Sequence, residues 1–95
     1  MLTKEEILSY IHDNLEKFNH DYQVERIGLF GSYAVGTQNE ESDIDLIVEM
    51  PSKYKKFFAL KRDLEQHFSR NIDIVIGKKI RPPIYSEIQN EIIYA

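Results

Sequence analysis

Two short stretches of this chain each combine strand-like apolar residues with polar groups suited to chemistry: Leu29-Phe30-Gly31-Ser32-Tyr33-Ala34-Val35-Gly36 and Ser42-Asp43-Ile44-Asp45-Leu46-Ile47-Val48. In the first stretch an apolar strand stops at Gly31, and a short helical turn follows it. Free backbone N–H groups at such a turn bind anions, and a glycine lets a phosphate approach the main chain closely. The hydroxyl of Ser32 adds one more donor. The turn is a candidate phosphate site, although Gly and Ser at a strand-to-helix turn are common without one.

The second stretch opens a strand with two carboxylates. Residues two apart on a strand point to the same face, so Asp43 and Asp45 project together while Ile44 points the other way. Two like charges ~4 Å apart repel each other by about 4 kcal/mol at the effective dielectric of a protein surface. A divalent cation removes this repulsion, and Mg²⁺ suits carboxylates combined with substrate phosphates. An isolated Asp-x-Asp is more often a solvated pair, so the motif alone does not define a metal site.

A third carboxylate lies in the run Ile72-Asp73-Ile74-Val75-Ile76, where Asp73 is the only charged residue. Its parity puts it on the face opposite Ile72 and Ile74, in the same way that Asp45 opposes Ile44. If the two strands pair, all three carboxylates converge on one polar face. A lone charge of this kind is more commonly a protection of an edge strand against aggregation.

The flanking sequence predicts the remaining elements. Apolar residues recur at helical spacing in three segments, which cover about residues 3–19, 52–68 and 84–92. Strand patterns occur at about residues 24–30, 43–50 and 72–76. The predicted fold class is therefore α/β (α+β), a single domain over residues 1–95 with a small sheet of about three strands, covered mainly on one face by helices.

The composition excludes several classes of protein. The chain is 42% apolar and 29% charged, as in ordinary folded domains, and no run approaches the ~20 apolar residues of a membrane span. The lack of cysteine excludes disulfides and thiolate metal sites, which fits a cytoplasmic protein. A net charge of −4 disfavours a nucleic-acid partner, since phosphate binding needs a basic face. One basic cluster is interpreted as a solvated helix face: Lys53, Lys55, Lys56, Lys61 and Arg62.

The turn at Gly31-Ser32, the Asp43-x-Asp45 pair and Asp73 indicate a function together that none of them indicates alone. A turn rich in donors can hold a triphosphate, and three acidic side chains can hold one or two Mg²⁺ ions against it. Such an arrangement suits in-line attack on a nucleotide phosphate, because the metal activates the attacking hydroxyl and neutralises charge on the leaving pyrophosphate. No serine or histidine nucleophile is required.

The combined motif resembles the minimal nucleotidyltransferases of the DNA polymerase β-like superfamily, the antitoxin halves of HEPN–MNT toxin–antitoxin pairs. Their hallmark is Gly-Ser, ten residues, then Asp-x-Asp, and here Gly31-Ser32 is followed by residues 33–42 and then by Asp43-Ile44-Asp45. Asp73 stands where the family has its third carboxylate. The resemblance extends over nearly the whole chain and implies the family's small mixed sheet.

The resemblance also implies roles for the residues that match. Asp43 and Asp45 bind Mg²⁺, Asp73 binds the catalytic metal and helps to activate the acceptor hydroxyl, and Gly31 with Ser32 holds the triphosphate. The implied reaction transfers AMP from ATP to a tyrosine of a partner HEPN toxin and thereby silences that toxin.

One departure from the family pattern concerns the residue after Ala34. The family commonly has arginine there, and this chain has Val35. Arg81 or a basic residue of a partner is a candidate replacement. The departure keeps a second hypothesis open, in which the chain is a non-catalytic module that neutralises its toxin by complex formation. A small-molecule nucleotidyltransferase is a third, but it requires substrate-binding structure beyond that of so short a chain.

Overall fold

The N-terminal segment of the protein forms two helices. In the computed structural model, which describes residues 2–95, α1 spans Lys4–Asp13 and α2 spans Leu15–Tyr22. Thr3 caps α1, since its hydroxyl accepts from the Glu6 N–H at 3.2 Å. The prediction of one continuous helix is wrong, because the chain breaks at Asn14. Its side-chain amide donates to the Tyr10 carbonyl at 2.8 Å. Local hydrogen bonds of this kind from asparagine to the backbone compete with continuation of a helix.

The residues described form a mixed sheet of four strands in the order β3-β2-β1-β4. The strands are β1 (Arg26–Phe30), β2 (Ile44–Glu49), β3 (Ile72–Ile76) and β4 (Ile93–Tyr94). Strand β1 runs antiparallel to β2 and to β4, whereas β2 and β3 are parallel. Helix α4 (Tyr54–Phe68) makes the crossover that a parallel pair requires. The predicted fold class, a small mixed sheet with helices, is confirmed.

The C-terminal segment differs from its prediction. The expected helix over residues 84–92 is shorter: a 3₁₀ turn (Gly77–Lys79) leads into α5 (Pro82–Ile88), and β4 follows. Strand β4 pairs with Gly28 and Leu29 of β1. Gly28 permits this pairing, since an added Cβ there would lie 2.6 Å from Ile92 Cγ2 and 3.0 Å from the Tyr94 ring. The Arg26 guanidinium lies 3.8 Å from the centre of that ring. This pairing joins distant parts of the chain, so helical periodicity could not reveal it.

The core lies on one face of the sheet. Alternate residues of β1, β2 and β3 share that face by register, and they pack with α1, α2 and α4. The buried residues that contribute are Ile7, Ile11, Phe18, Ile27, Leu29, Ile44, Leu46, Val48, Leu60, Leu64, Ile72, Ile74 and Ile76. The opposite face carries Phe30, Asp45 and Asp73 in one row. The carboxylates therefore lie on the face that the core helices leave open. No helix within residues 2–95 has the length and apolar character of a membrane span.

Candidate active site

The turn after β1 requires glycine for two reasons. Gly31 has φ 76° and ψ −156°, a conformation that is essentially restricted to glycine. A Cβ at this position would also overlap the Asp45 carboxylate and would lie 2.9 Å from Asp45 Cγ. The short helix α3 (Ser32–Val35) begins directly afterwards, and the Gly31 carbonyl accepts from Ala34 and Val35 at 3.1 and 3.2 Å. The phosphate-site candidate thus lies against the first residues of β2.

The structure brings two of the predicted carboxylates side by side. In the parallel register Asp45 of β2 is the partner of Asp73 of β3, so their side chains share one face of the sheet. Neighbouring strands are about 4.8 Å apart, which places the two carboxylates within reach of a single ion. Asp43 precedes β2 and is exposed, as is Asp73, whereas Asp45 is partly buried between its neighbours.

The electrostatics of Asp45 reflect this crowding. The pKa of its carboxyl is raised from the ordinary value of 3.8 to about 6, chiefly by burial and then by repulsion from Asp73, Asp43 and Glu91, in that order of importance. Within residues 2–95, none of these four carboxylates takes part in a salt bridge. The site is thus a concentration of negative charge without a protein cation to balance it.

The donor set fits a magnesium ion that is shared with a substrate. As the side chains are placed, residues 2–95 contain no group of three or more His, Asp or Glu residues that could enclose a metal on its own. Mg²⁺ does not require one, because it is usually held by one or two carboxylates plus phosphate oxygens and waters. Asp45 with Asp73 or Asp43 supplies such a set beside the Gly31 turn.

Glu91 is a residue of this site that sequence reasoning missed. Its Oε1 accepts a hydrogen bond from the Gly31 N–H at 3.2 Å, across 60 positions of sequence. No local signal marks it, since Glu91 belongs to a polar stretch between α5 and β4. Its position depends on the pairing of β4 with β1, which only the tertiary structure shows.

Three residues near the motif occupy positions that bear on their roles. Tyr33, in the short helix after Gly31, is fully buried and packs in the core. Val35 is 52% exposed at the end of α3. Arg81 lies with Lys79 at the edge of a pocket of ≈ 390 Å³ whose apolar walls include Phe30, Val75 and Ile84. Because Phe30 and Val75 share the face of Asp45 and Asp73, this pocket adjoins the carboxylate row.

The open face of this small mixed sheet combines a turn rich in hydrogen-bond donors with paired carboxylates. This combination is the one expected of a transferase that acts on nucleotide phosphates. The family model described as the nucleotidyltransferase domain matches residues 12–95, and the chain belongs to this family. The protein adenylyltransferase MntA of Thermococcus cleftensis is 34% identical over 97 residues, which cover 99% of this chain and 97% of the relative. The chain is therefore a nucleotidyltransferase, and the resemblance found in the sequence is confirmed.

Solved structures support the same assignment. A structure described as a minimal nucleotidyltransferase superimposes with a TM-score of 0.80 at 26% identity and covers 97% of this chain and 95% of that one. A crystal structure of a toxin–antitoxin with AMP-PNP matches with a TM-score of 0.69 at 23% identity, over 86% of this chain and 69% of that chain. The second likeness is one of fold.

Proposed function

We propose that this nucleotidyltransferase is the antitoxin of a toxin–antitoxin pair and that it transfers AMP from ATP, with Mg²⁺, to a tyrosine hydroxyl of a partner HEPN toxin. The observation that carries the proposal is the position of Asp45, which contacts Gly31 on one side and is paired with Asp73 on the other. A phosphate held at the Gly31 turn would therefore meet the carboxylate row directly. The relative named protein adenylyltransferase supports AMP as the transferred group.

Each matched residue has a role in the proposed reaction. The Gly31 N–H and the Ser32 hydroxyl bind phosphate oxygens of ATP, and Asp43 and Asp45 are the ligands of Mg²⁺ with Asp73. The bound metal would neutralise phosphate charge and lower the pKa of the acceptor hydroxyl. The acceptor oxygen forms a bond to the α-phosphorus, the bond to the bridging oxygen breaks, and pyrophosphate leaves. Asp73, exposed on the edge strand β3, orients the acceptor hydroxyl and takes up its proton.

The surroundings of the carboxylates favour a macromolecular acceptor. Strand β3 is the edge of the sheet, and the side chains of Asp43 and Asp73 are exposed. A tyrosine on the surface of another protein can therefore reach them without a deep cavity. The adjoining apolar pocket, lined in part by Phe30, Val75 and Ile84, suits an aromatic ring, either the adenine or the phenol of the acceptor.

A non-catalytic antitoxin is the second candidate, and Val35 is the observation that favours it. The valine side chain is exposed where the family commonly presents an arginine, so one source of positive charge near the phosphates is missing. In this alternative the chain neutralises its toxin by occupying it. The carboxylates would then contribute to ATP binding or to no function.

Intact-mass spectrometry of the HEPN toxin, purified separately from this chain, distinguishes the two candidates. The toxin is incubated with ATP, Mg²⁺ and either the wild-type chain or the Asp43→Asn/Asp45→Asn double variant. The matched control is Glu41→Gln, which removes a carboxylate from the exposed loop just before the motif. Adenylyl additions with the wild type and the control, lost in the double variant, support the enzyme. A stable complex without any mass gain supports the binding module.

A further inference from the structure

The Gly31 N–H, the proposed donor to a phosphate oxygen of ATP, already donates a hydrogen bond to a carboxylate. Glu91 Oε1 accepts from the Gly31 N–H at 3.2 Å in a partly buried setting. A carboxylate oxygen on a backbone N–H makes the same charge-assisted interaction that a phosphate oxygen would make. Both anions require the same donor, so Glu91 and a phosphate at this position exclude each other.

Electrostatic repulsion disfavours the Glu91 carboxylate as a permanent hydrogen-bond acceptor for the Gly31 N–H. Its charge acts on Asp45, which is already crowded by Asp73 and Asp43. Like charges brought close together repel one another, and they do so more strongly at a protein surface than in bulk water. A triphosphate that arrives with Mg²⁺ would bring its own counter-charge, whereas Glu91 brings none. The contact is therefore one that a metal-bound nucleotide can replace at a net gain.

We propose that Glu91 is an internal competitor of the nucleotide, which occupies the Gly31 N–H in the empty enzyme and is displaced when a phosphate of ATP binds there. The inference rests on the proposed nucleotide site and adds a residue that sets the affinity of that site. Glu91 is not a catalytic residue in this scheme, because it leaves before the reacting groups assemble.

The position of Glu91 in the chain connects this exchange to the C-terminal segment. Glu91 lies between α5 and β4, and β4 pairs with Gly28 and Leu29, just before the Gly31 turn. Ala95 also donates to the Ile27 carbonyl at 3.0 Å. The segment is thus attached to β1 through its backbone and to the Gly31 turn through Glu91. Loss of the Glu91 contact leaves the pairing of β4 in place and removes the attachment of Glu91 to the Gly31 turn.

Binding measurements on the isolated chain test the proposal. Isothermal titration gives the Kd of ATP with Mg²⁺, of inorganic triphosphate with Mg²⁺, and of adenosine for the wild type, Glu91→Gln and Glu91→Ala. Glu87→Gln is the matched control, because it removes a charge from an exposed position of α5. We expect Glu91→Ala to bind ATP and triphosphate about tenfold more tightly, which corresponds to about 1.4 kcal/mol. Glu91→Gln should show a smaller gain, since its amide oxygen still accepts without a charge, while adenosine binding and the control stay unchanged.

Three results would overturn the inference, and they differ from one another. An unchanged Kd in Glu91→Ala means that the contact only fastens the C-terminal segment. Weaker binding means that Glu91 is a ligand of the bound nucleotide or its metal. Absence of ATP binding in the wild type and in every variant contradicts the proposed function. It also contradicts the proposed role of Glu91 as a competitor of the nucleotide.

A second measurement covers the case in which the Glu91 variants do not fold. Nuclear magnetic resonance of the wild type follows the Gly31 amide and the amides of residues 89–92 while ATP and Mg²⁺ are added. Displacement predicts that the Gly31 resonance shifts and that hydrogen exchange at residues 89–92 becomes faster. If ATP binds while exchange at residues 89–92 stays the same or slows, Glu91 is not displaced.

Discussion

Asp45 and Asp73 are direct partners in the parallel register of β2 and β3, although 28 positions of sequence and a whole helix separate them. The pairing puts two carboxylates on one open face of the sheet, with the Gly31 turn against one of them. A structure that needed only stability would not retain this arrangement, because adjacent like charges oppose folding. The proposed transfer of AMP gives the pair a function, because a metal ion shared with ATP would offset the repulsion.

The stability of the protein without metal should reveal the repulsion at Asp45. Because the folded-state pKa is raised from 3.8 to about 6, the folded protein binds more protons between these values, and stability falls as pH rises through 6. Asp45→Asn should therefore raise Tm at pH 8 and change it little at about pH 4. Thermal melts in EDTA at both values check this, with Glu41→Gln as control. A variant that is less stable than the wild type at pH 8 contradicts the prediction.

Magnesium should stabilise the wild type, since a ligand that binds only the folded state raises Tm. The increase should be larger at pH 8 than at pH 5, because at pH 5 the proton on Asp45 competes with the metal. Asp45→Asn and Asp73→Asn should each lose most of the effect. The measurement is a melting curve with and without millimolar MgCl₂, with CaCl₂ for comparison. Equal increases at both pH values would show that the ion binds elsewhere.

Gly31 and Gly36 form a matched pair for testing the phosphate turn. Both have positive φ, but a Cβ on Gly31 would overlap Asp45, whereas among residues 2–95 no atom lies within 4 Å of a Cβ on Gly36. Gly36→Ala should cost about 1–2 kcal/mol of unfolding free energy from its backbone conformation alone. Gly31→Ala should cost more, at least about 3 kcal/mol, and should also displace Asp45. Urea denaturation gives both values, and equal losses would argue against the close approach.

Asp73→Asn should lower the rate of adenylyl transfer by at least about a hundredfold, or ~2.7 kcal/mol, since it removes a charge from the reacting centre. Its exposed position on the edge strand, together with the relief of its repulsion on Asp45, predicts a Tm that is unchanged or slightly raised. Quantitative mass spectrometry of the toxin over time gives the rate, and a melting curve of the same sample confirms the fold. Transfer at the wild-type rate would remove Asp73 from the mechanism.

Local pattern was enough to predict those features of the protein that depend on a few neighbouring residues. The end of the strand at Gly31, the helical turn after it, and the spacing from Gly31-Ser32 to Asp43-Ile44-Asp45 follow from a few adjacent residues. Alternation on a strand likewise predicted that Asp45 and Asp73 oppose the apolar residues beside them. Such patterns are readable because side-chain direction is set by the backbone period alone.

The contacts between distant segments are visible in the folded molecule and not in the sequence pattern. The parallel register makes Asp45 and Asp73 partners, and the pairing of β4 with β1 puts Glu91 on the Gly31 amide. The spacing of the isoleucines in the C-terminal segment fits one continuous helix as well as it fits the observed α5 and β4. Nothing in that spacing indicated that Gly28 leaves room for Tyr94. Such contacts depend on shape complementarity between residues far apart in the chain, and a one-dimensional period carries no information about it.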